Sequence, residues 1–231
     1  GLAGDALTTG HRNTVLGTYA LSTEDTGGRN TAIGFRTLET LDVGADGYNV
    51  AVGYNTGQAM TTGVNNTLMG STTGDALTTG TNNVAMGYGA LGSEDTGGQN
   101  VAIGVNALNT LNYAGNGLNV AVGYNAGVLM STGIENIIMG GLAGDALTTG
   151  ARNIAIGYAA LSTEDTGGHN VAIGRNALAT LDAGADGHNV AIGSSAGESL
   201  STGVENTIIG FNAGVALTTT ETSVMIGKDA G

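Results

Sequence analysis

Short apolar segments closed by glycine recur thirteen times along this chain, and Asn100-Val101-Ala102-Ile103-Gly104 is typical of them. The closing glycines are Gly17, Gly34, Gly53, Gly70, Gly87, Gly104, Gly123, Gly140, Gly157, Gly174, Gly193, Gly210 and Gly227. Their spacings run 17, 19, 17, 17 and then start again, so a 17-residue unit is nested in a 70-residue one. A fixed period of this kind is the signature of a repeat architecture. The first position of the motif is Asn13, Asn30, Asn49, Asn66, Asn83, Asn100, Asn119, Asn136, Asn153, Asn170, Asn189 and Asn206, with Ser223 in the last copy. The second is always β-branched and the fourth always aliphatic, from Thr14 and Leu16 to Val224 and Ile226. Second and fourth positions share one face of a strand. The third faces the other way and is apolar too, mostly alanine, with Val15, Leu68, Ile138, Ile208 and Met225 as the larger cases.

A strand apolar on both faces is expected to be buried on both. One face should line the interior of a coil. The alanine face, Ala32, Ala51, Ala85, Ala102, Ala121, Ala155, Ala172 and Ala191, is then expected to meet another chain. Glutamate at Ala102 or Ala172 should block that assembly. A helical reading fails, because glycine every few residues costs a helix about 1 kcal/mol each. Rungs of a sheet lie about 4.8 Å apart, so thirteen rungs predict a rod roughly 60 Å long. Asparagine tolerates the left-handed region at a coil corner, and stacked asparagines can hydrogen-bond along the rod as a ladder. The glycine column marks the opposite corner, where a positive φ or close backbone approach is needed. Beyond it a further column reads Leu21, Leu38, Gly57, Gly74 and repeats in pairs, predicting a second wall that changes width every two rungs.

The connectors between strands are rich in Gly, Thr, Asp and Asn, the residues of tight turns. Positions 20–28 and 160–168 both read Ala-Leu-Ser-Thr-Glu-Asp-Thr-Gly-Gly, and the 19-residue spacing comes from an insertion such as Leu181 to Gly187. The expected organisation is all-β: one repeat domain over 1–231, a β-solenoid or β-roll of 17–19-residue coils. Its super-repeats are 1–70, 71–140 and 141–210, with a partial one over 211–231. Gly1 and Gly231 both fall in mid-repeat, and no signal peptide or initiator Met is present, so the chain reads as a fragment or a processed product.

Composition sharpens this picture. There are 43 glycines and no proline, cysteine or tryptophan. Glycine without a G-X-Y period excludes collagen. A hydrophobic share of 41 % against 11 % charged residues excludes simple disorder. So few aromatics suit a narrow core of small aliphatic side chains. A formal net charge of −13, with six scattered basic residues, argues against nucleic acid. No run of 18 apolar residues exists to span a membrane.

Little chemistry stands out. Glu24-Asp25, Glu94-Asp95 and Glu164-Asp165 recur every 70 residues and read as surface turns. Asp42 and Asp46, and Asp182 and Asp186, lie in inserted loops that carry Asn112 and Asn116 in the middle unit. These too read as solvated turns, with Ca²⁺ the one ion their oxygens would suit. His169 and His188 share a column on adjacent rungs and would need a third ligand to hold a metal, for which Glu205 is the candidate. The same column sets Glu135 beside Arg152 and His188 beside Glu205, which reads as cross-rung charge pairing. It also sets Arg12 beside Arg29, which that pattern does not explain. Threonine pairs at 8–9, 78–79, 148–149 and 218–219 return too rarely for an ice-binding face. Tyr54, Tyr88, Tyr124 and Tyr158, with Phe35 and Phe211, follow the glycine column as sugar-stacking patches or as cover for the rod. No catalytic motif is present. The reading is therefore of a non-enzyme with no catalytic residue, no metal and no cofactor.

The Asn-Val-Ala-Ile-Gly-x-x-Ala text resembles the repeats of β-roll heads in trimeric autotransporter adhesins. It resembles still more the repeats of phage tail-fibre-like proteins that end in an endosialidase-type intramolecular chaperone. The resemblance covers nearly all of the chain and concerns a shaft. It implies three chains packed side by side, as a homotrimeric fibre on a cell surface or virion. The expected function is the shaft of an extracellular fibre that positions a receptor-binding tip, with a surface glycan or protein as the receptor. Self-association is the expected partnership. The alternatives are a self-polymerising filament and a monomeric ice- or glycan-binding solenoid.

Overall fold

The computed structural model describes all residues from 1 to 231 and contains thirteen three-residue strands and no helix. The chain divides into two compact units. The first, Gly1–Leu118, carries β1 (Thr14–Leu16), β2 (Thr31–Ile33), β3 (Val50–Val52), β4 (Thr67–Met69), β5 (Val84–Met86) and β6 (Val101–Ile103). The second, Asn119–Gly231, carries β7 (Val120–Val122), β8 (Ile137–Met139), β9 (Ile154–Ile156), β10 (Val171–Ile173), β11 (Val190–Ile192), β12 (Thr207–Ile209) and β13 (Val224–Ile226). Within each unit every strand pairs in parallel with the next, like residue on like: Val84 partners Thr67 on one side and Val101 on the other. This is a parallel β-solenoid. Each coil advances the chain by one rung, so the sequence period becomes the stacking register. Glycine ends each strand after three residues. At Gly87 φ is +130°, and a Cβ there would collide with the Gly104 carbonyl on the next coil. Positive φ and close approach are both required at this column.

The alanine face points inward, which corrects the expectation of an interchain surface. Ala32, Ala51, Ala85, Ala102, Ala121, Ala155, Ala172 and Ala191 are all 0 % exposed within their own chain. The second and fourth positions point outward instead. The reason is volume. A coil this narrow holds one small side chain opposite a wall of Ala20, Leu21, Leu38, Leu41 and their equivalents, all fully buried. Where the strand residue grows to Leu68, the leucine column falls to glycine: a Cβ on Gly57 would sit 3.0 Å from Leu68, and one on Gly74 3.2 Å. Ile138 with Gly144, and Ile208 with Gly197, repeat the exchange. The alternation of leucine and glycine is thus matched across the coil. Jigsaw complementarity of this kind is what fixes a single packed state.

The asparagine column also differs in detail from expectation. Its residues do not occupy the left-handed region; the residue before each does, as at Arg29 (φ 60°), Gln99 (φ 59°) and His169 (φ 59°). That turn leaves the asparagine side chain directed into the coil. Asn83 Oδ1 accepts the backbone N–H of Asn100 at 3.0 Å, and its Nδ2 donates to the Gly97 carbonyl at 3.0 Å. Asn136 does the same for Asn153 (2.9 Å) and Gly150 (2.9 Å). The ladder therefore runs mainly from side chain to backbone. It satisfies groups at the corner that the three-residue strands cannot pair, as buried backbone polar groups demand.

Candidate functional site

Two features stand out in each unit: an outward apolar strand face, and side-chain clusters at the coil corners. In the first unit Val50, Met69 and Met86 are 36 to 39 % exposed, and in the second Ile137, Met139 and Ile192 are 37 to 41 % exposed. The columns are apolar on every rung apart from the threonines, whose methyl groups keep the strip largely nonpolar. Phe35 and Tyr54 stack beside it with centroids 5.5 Å apart, and Tyr88, Tyr124, Tyr158 and Phe211 are exposed in the same column. Within each unit, side-by-side apolar rungs that the chain covers only in part form a strip of the kind that marks interaction sites on protein surfaces.

The first kind of cluster is carboxylate. Glu24, Glu94 and Glu164 are fully buried, not solvated turns as the sequence suggested; the exposed partner of the first pair is Asp25. They occupy the column held elsewhere by Leu41, Met60 and Leu77. Their positions in that column were the sequence signal, hidden because the neighbouring aspartate made the pair look like a turn. Glu24 accepts N–H groups from Gly27 (2.7 Å) and Val43 (3.0 Å). Glu94 accepts them from Gly97 and Tyr113, and Glu164 from Gly167 and Ala183. Val43, Tyr113 and Ala183 begin the inserted loops of the following coils. Each glutamate thus pins the extra residues of a 19-residue coil to the coil before it. Asp25 and Asp42 lie near Glu24, and Asp165 and Asp182 near Glu164, with carboxylate oxygens within 4.8 Å of one another. Each glutamate oxygen is held by a backbone N–H, so the carboxylate ties two successive coils together.

Burial raises the Glu94 and Glu164 carboxyls above the ordinary range, partly opposed by the backbone N–H groups they accept. It also raises Asp75 and Asp145. Asp46 goes the other way: its burial is outweighed by the hydrogen bond and charge of Arg29, which hold it low. A carboxyl whose folded pKa is raised binds its proton more tightly when folded. Its contribution to stability is full below the unfolded pKa and is lost as pH rises through the folded one. The melting temperature is therefore expected to be higher near pH 5 than at pH 8. Relief of the −13 net charge would act in the same direction, so the melts belong in 0.5 M salt, where surface repulsion is screened. A flat profile there would contradict the assignment to buried carboxyls.

The second kind of cluster lies at the inserted loops. Arg29 Nε contacts Asp46 Oδ2 at 2.6 Å, and its guanidinium lies 5.4 Å from the Tyr48 ring centroid. That contact accounts for Arg29 beside Arg12. Arg152 and Glu135 pair at 2.7 Å as the sequence suggested. His188 does not pair with Glu205. His169 Nδ1 instead lies 3.2 Å from Asp186 Oδ1, and the His169 and His188 rings stack 4.9 Å apart at 12°. The two-residue insertion brings Asp186 there, which sequence columns aligned on asparagine did not reveal. The Thr8 hydroxyl and the Thr8 and Thr9 N–H groups converge on the Asp25 carbonyl, so that threonine pair serves the backbone.

No helix is long and apolar enough to cross a membrane. No protein-family model, curated protein or solved structure matches the chain.

Proposed function

We propose that this chain is a structural shaft of an extracellular fibre, of the phage tail-fibre or surface-adhesin kind, in which copies pack side by side along the outward strand face. The observation that carries the reading is that face: each coil fills its own core with the alanine column, yet the second and fourth positions remain apolar and only partly covered. The first unit's six rungs form a strip about 24 Å long with its columns about 7 Å apart. A second and third copy of the chain is the occupant whose pattern matches it, because an identical 17-residue period places apolar rungs opposite apolar rungs. Three copies is the number that the resemblance implies. The fibre would hold a receptor-binding tip away from a cell or virion, and its own work is mechanical. It calls for no cofactor and no catalytic group.

Sedimentation velocity across a wide concentration range tests this. A trimer of fixed size is expected. Ile154→Glu with Ile156→Glu should dissociate it while leaving the circular dichroism unchanged. Species that grow without limit would favour the self-polymerising filament. A wild-type monomer at every concentration would remove the shaft reading and turn attention to ligands of the exposed strip.

A further inference from the structure

We infer that His169, Asp186 and His188 form a binding site for one divalent transition-metal ion, of which Zn²⁺ is the representative. The ligand atoms of the three residues, one from each, lie within 4.8 Å of one another. His169 Nδ1 is shielded from solvent and makes no hydrogen bond, although Asp186 Oδ1 is 3.2 Å away. Bonds of about 2.0–2.2 Å place neighbouring ligands of a tetrahedral ion about 3.3–3.5 Å apart. The His169–Asp186 pair, at 3.2 Å, lies just short of that separation. His188 is exposed and stacked on the next coil, so rotation of its side chain closes the remaining gap. Two imidazoles and one carboxylate are a donor set suited to Zn²⁺, Ni²⁺ or Co²⁺, not to Ca²⁺. Solvent would complete the coordination on the open side.

The other super-repeats show what the site replaces. In the first, the corresponding residues are Arg29, Asp46 and Tyr48, and the guanidinium sits between carboxylate and ring as a fixed cation. In the second they are Gln99, Asn116 and Leu118, which offer no carboxylate and no imidazole. Only in the third does a carboxylate face two imidazoles, and a bound ion supplies there the positive charge that Arg29 supplies in the first. The ion would clip the inserted loop over 182–188 to the preceding coil. This site is independent of whether chains associate.

Isothermal titration of the whole chain with ZnCl₂ at pH 7.5, where neutral imidazole is the ligating form, should give one site per chain. His169→Gln or His188→Gln should weaken it by at least about tenfold, since even an outer-shell partner of a metal ligand is worth 10–100-fold. Both side chains are at the surface, so the circular dichroism should not change. Arg29→His with Tyr48→His should raise the stoichiometry to two, because Asp46 is already in place. Absence of saturable binding up to about 1 mM Zn²⁺ overturns the inference, as does unchanged binding in the double His169→Gln, His188→Gln variant. A transplant that remains at one site shows that an aspartate with two stacked imidazoles is insufficient, and also counts against it.

Discussion

Ala102→Glu is expected to abolish the folded state of its unit, whereas Ile103→Glu, one residue along, is expected to leave the fold intact. Ala102 is 0 % exposed and its side chain meets the inner wall of the coil. An ionised carboxylate there has no partner, and leaving such a charge buried costs several kcal/mol. Forcing extra atoms into a filled core adds about 1–3 kcal/mol. Together these rival the whole stability of a typical domain, about 5–15 kcal/mol. Ile103 is partly exposed on the outward face. A glutamate there stays solvated in the isolated chain and should shift stability by no more than about 1 kcal/mol. Far-UV circular dichroism and limited proteolysis separate the cases. A folded Ala102→Glu chain that merely failed to associate would return the alanine column to the outside.

Asn83→Ala is expected to cost about 2–5 kcal/mol, the second largest single effect. The side chain is fully buried and serves two groups at once, the Asn100 N–H and the Gly97 carbonyl. Alanine strands both, and each buried unsatisfied group costs about 1–3 kcal/mol. Asn83→Asp has no donor for the Gly97 carbonyl while ionised and buries a charge, whereas its protonated carboxyl keeps an O–H donor and an acceptor. It should therefore fall between alanine and the wild type only where its charge is neutralised, near pH 4. Because each coil touches only its neighbours, the loss should be local at first. Hydrogen exchange should show faster exchange around residues 80–104 than in coils further away. Uniform loss of protection across the unit would indicate that the ladder acts as one cooperative element.

The strands were legible because backbone chemistry alone requires them. Three residues of β-branched and aliphatic character, followed by a glycine that must take φ near +130°, leave the chain few alternatives. The roles of side chains were less legible. Glu94 next to Asp95 looked like an acidic turn because sequence adjacency hides the opposite directions of neighbouring side chains. The aspartate stays partly exposed, and the glutamate turns inward to hold Gly97 and Tyr113. Likewise His169 lies 17 residues from Asp186, a separation that becomes 3.2 Å only because one coil returns the chain to its own edge.

The sequence by itself determined the period, the position of every strand, the parallel like-on-like register and the place of the glycine corners. These follow from repetition, since identical segments on successive coils stack most favourably in identical register. Only the tertiary structure decided which apolar face lies inside, because strand alternation is symmetric and both faces are hydrophobic. The volume of the coil breaks that symmetry: alanine fits opposite leucine, and Leu68 fits only where Gly57 and Gly74 make room. The same closure turned three glutamates inward, moved the left-handed corner to the residue before asparagine, and left the valine and isoleucine columns facing outward.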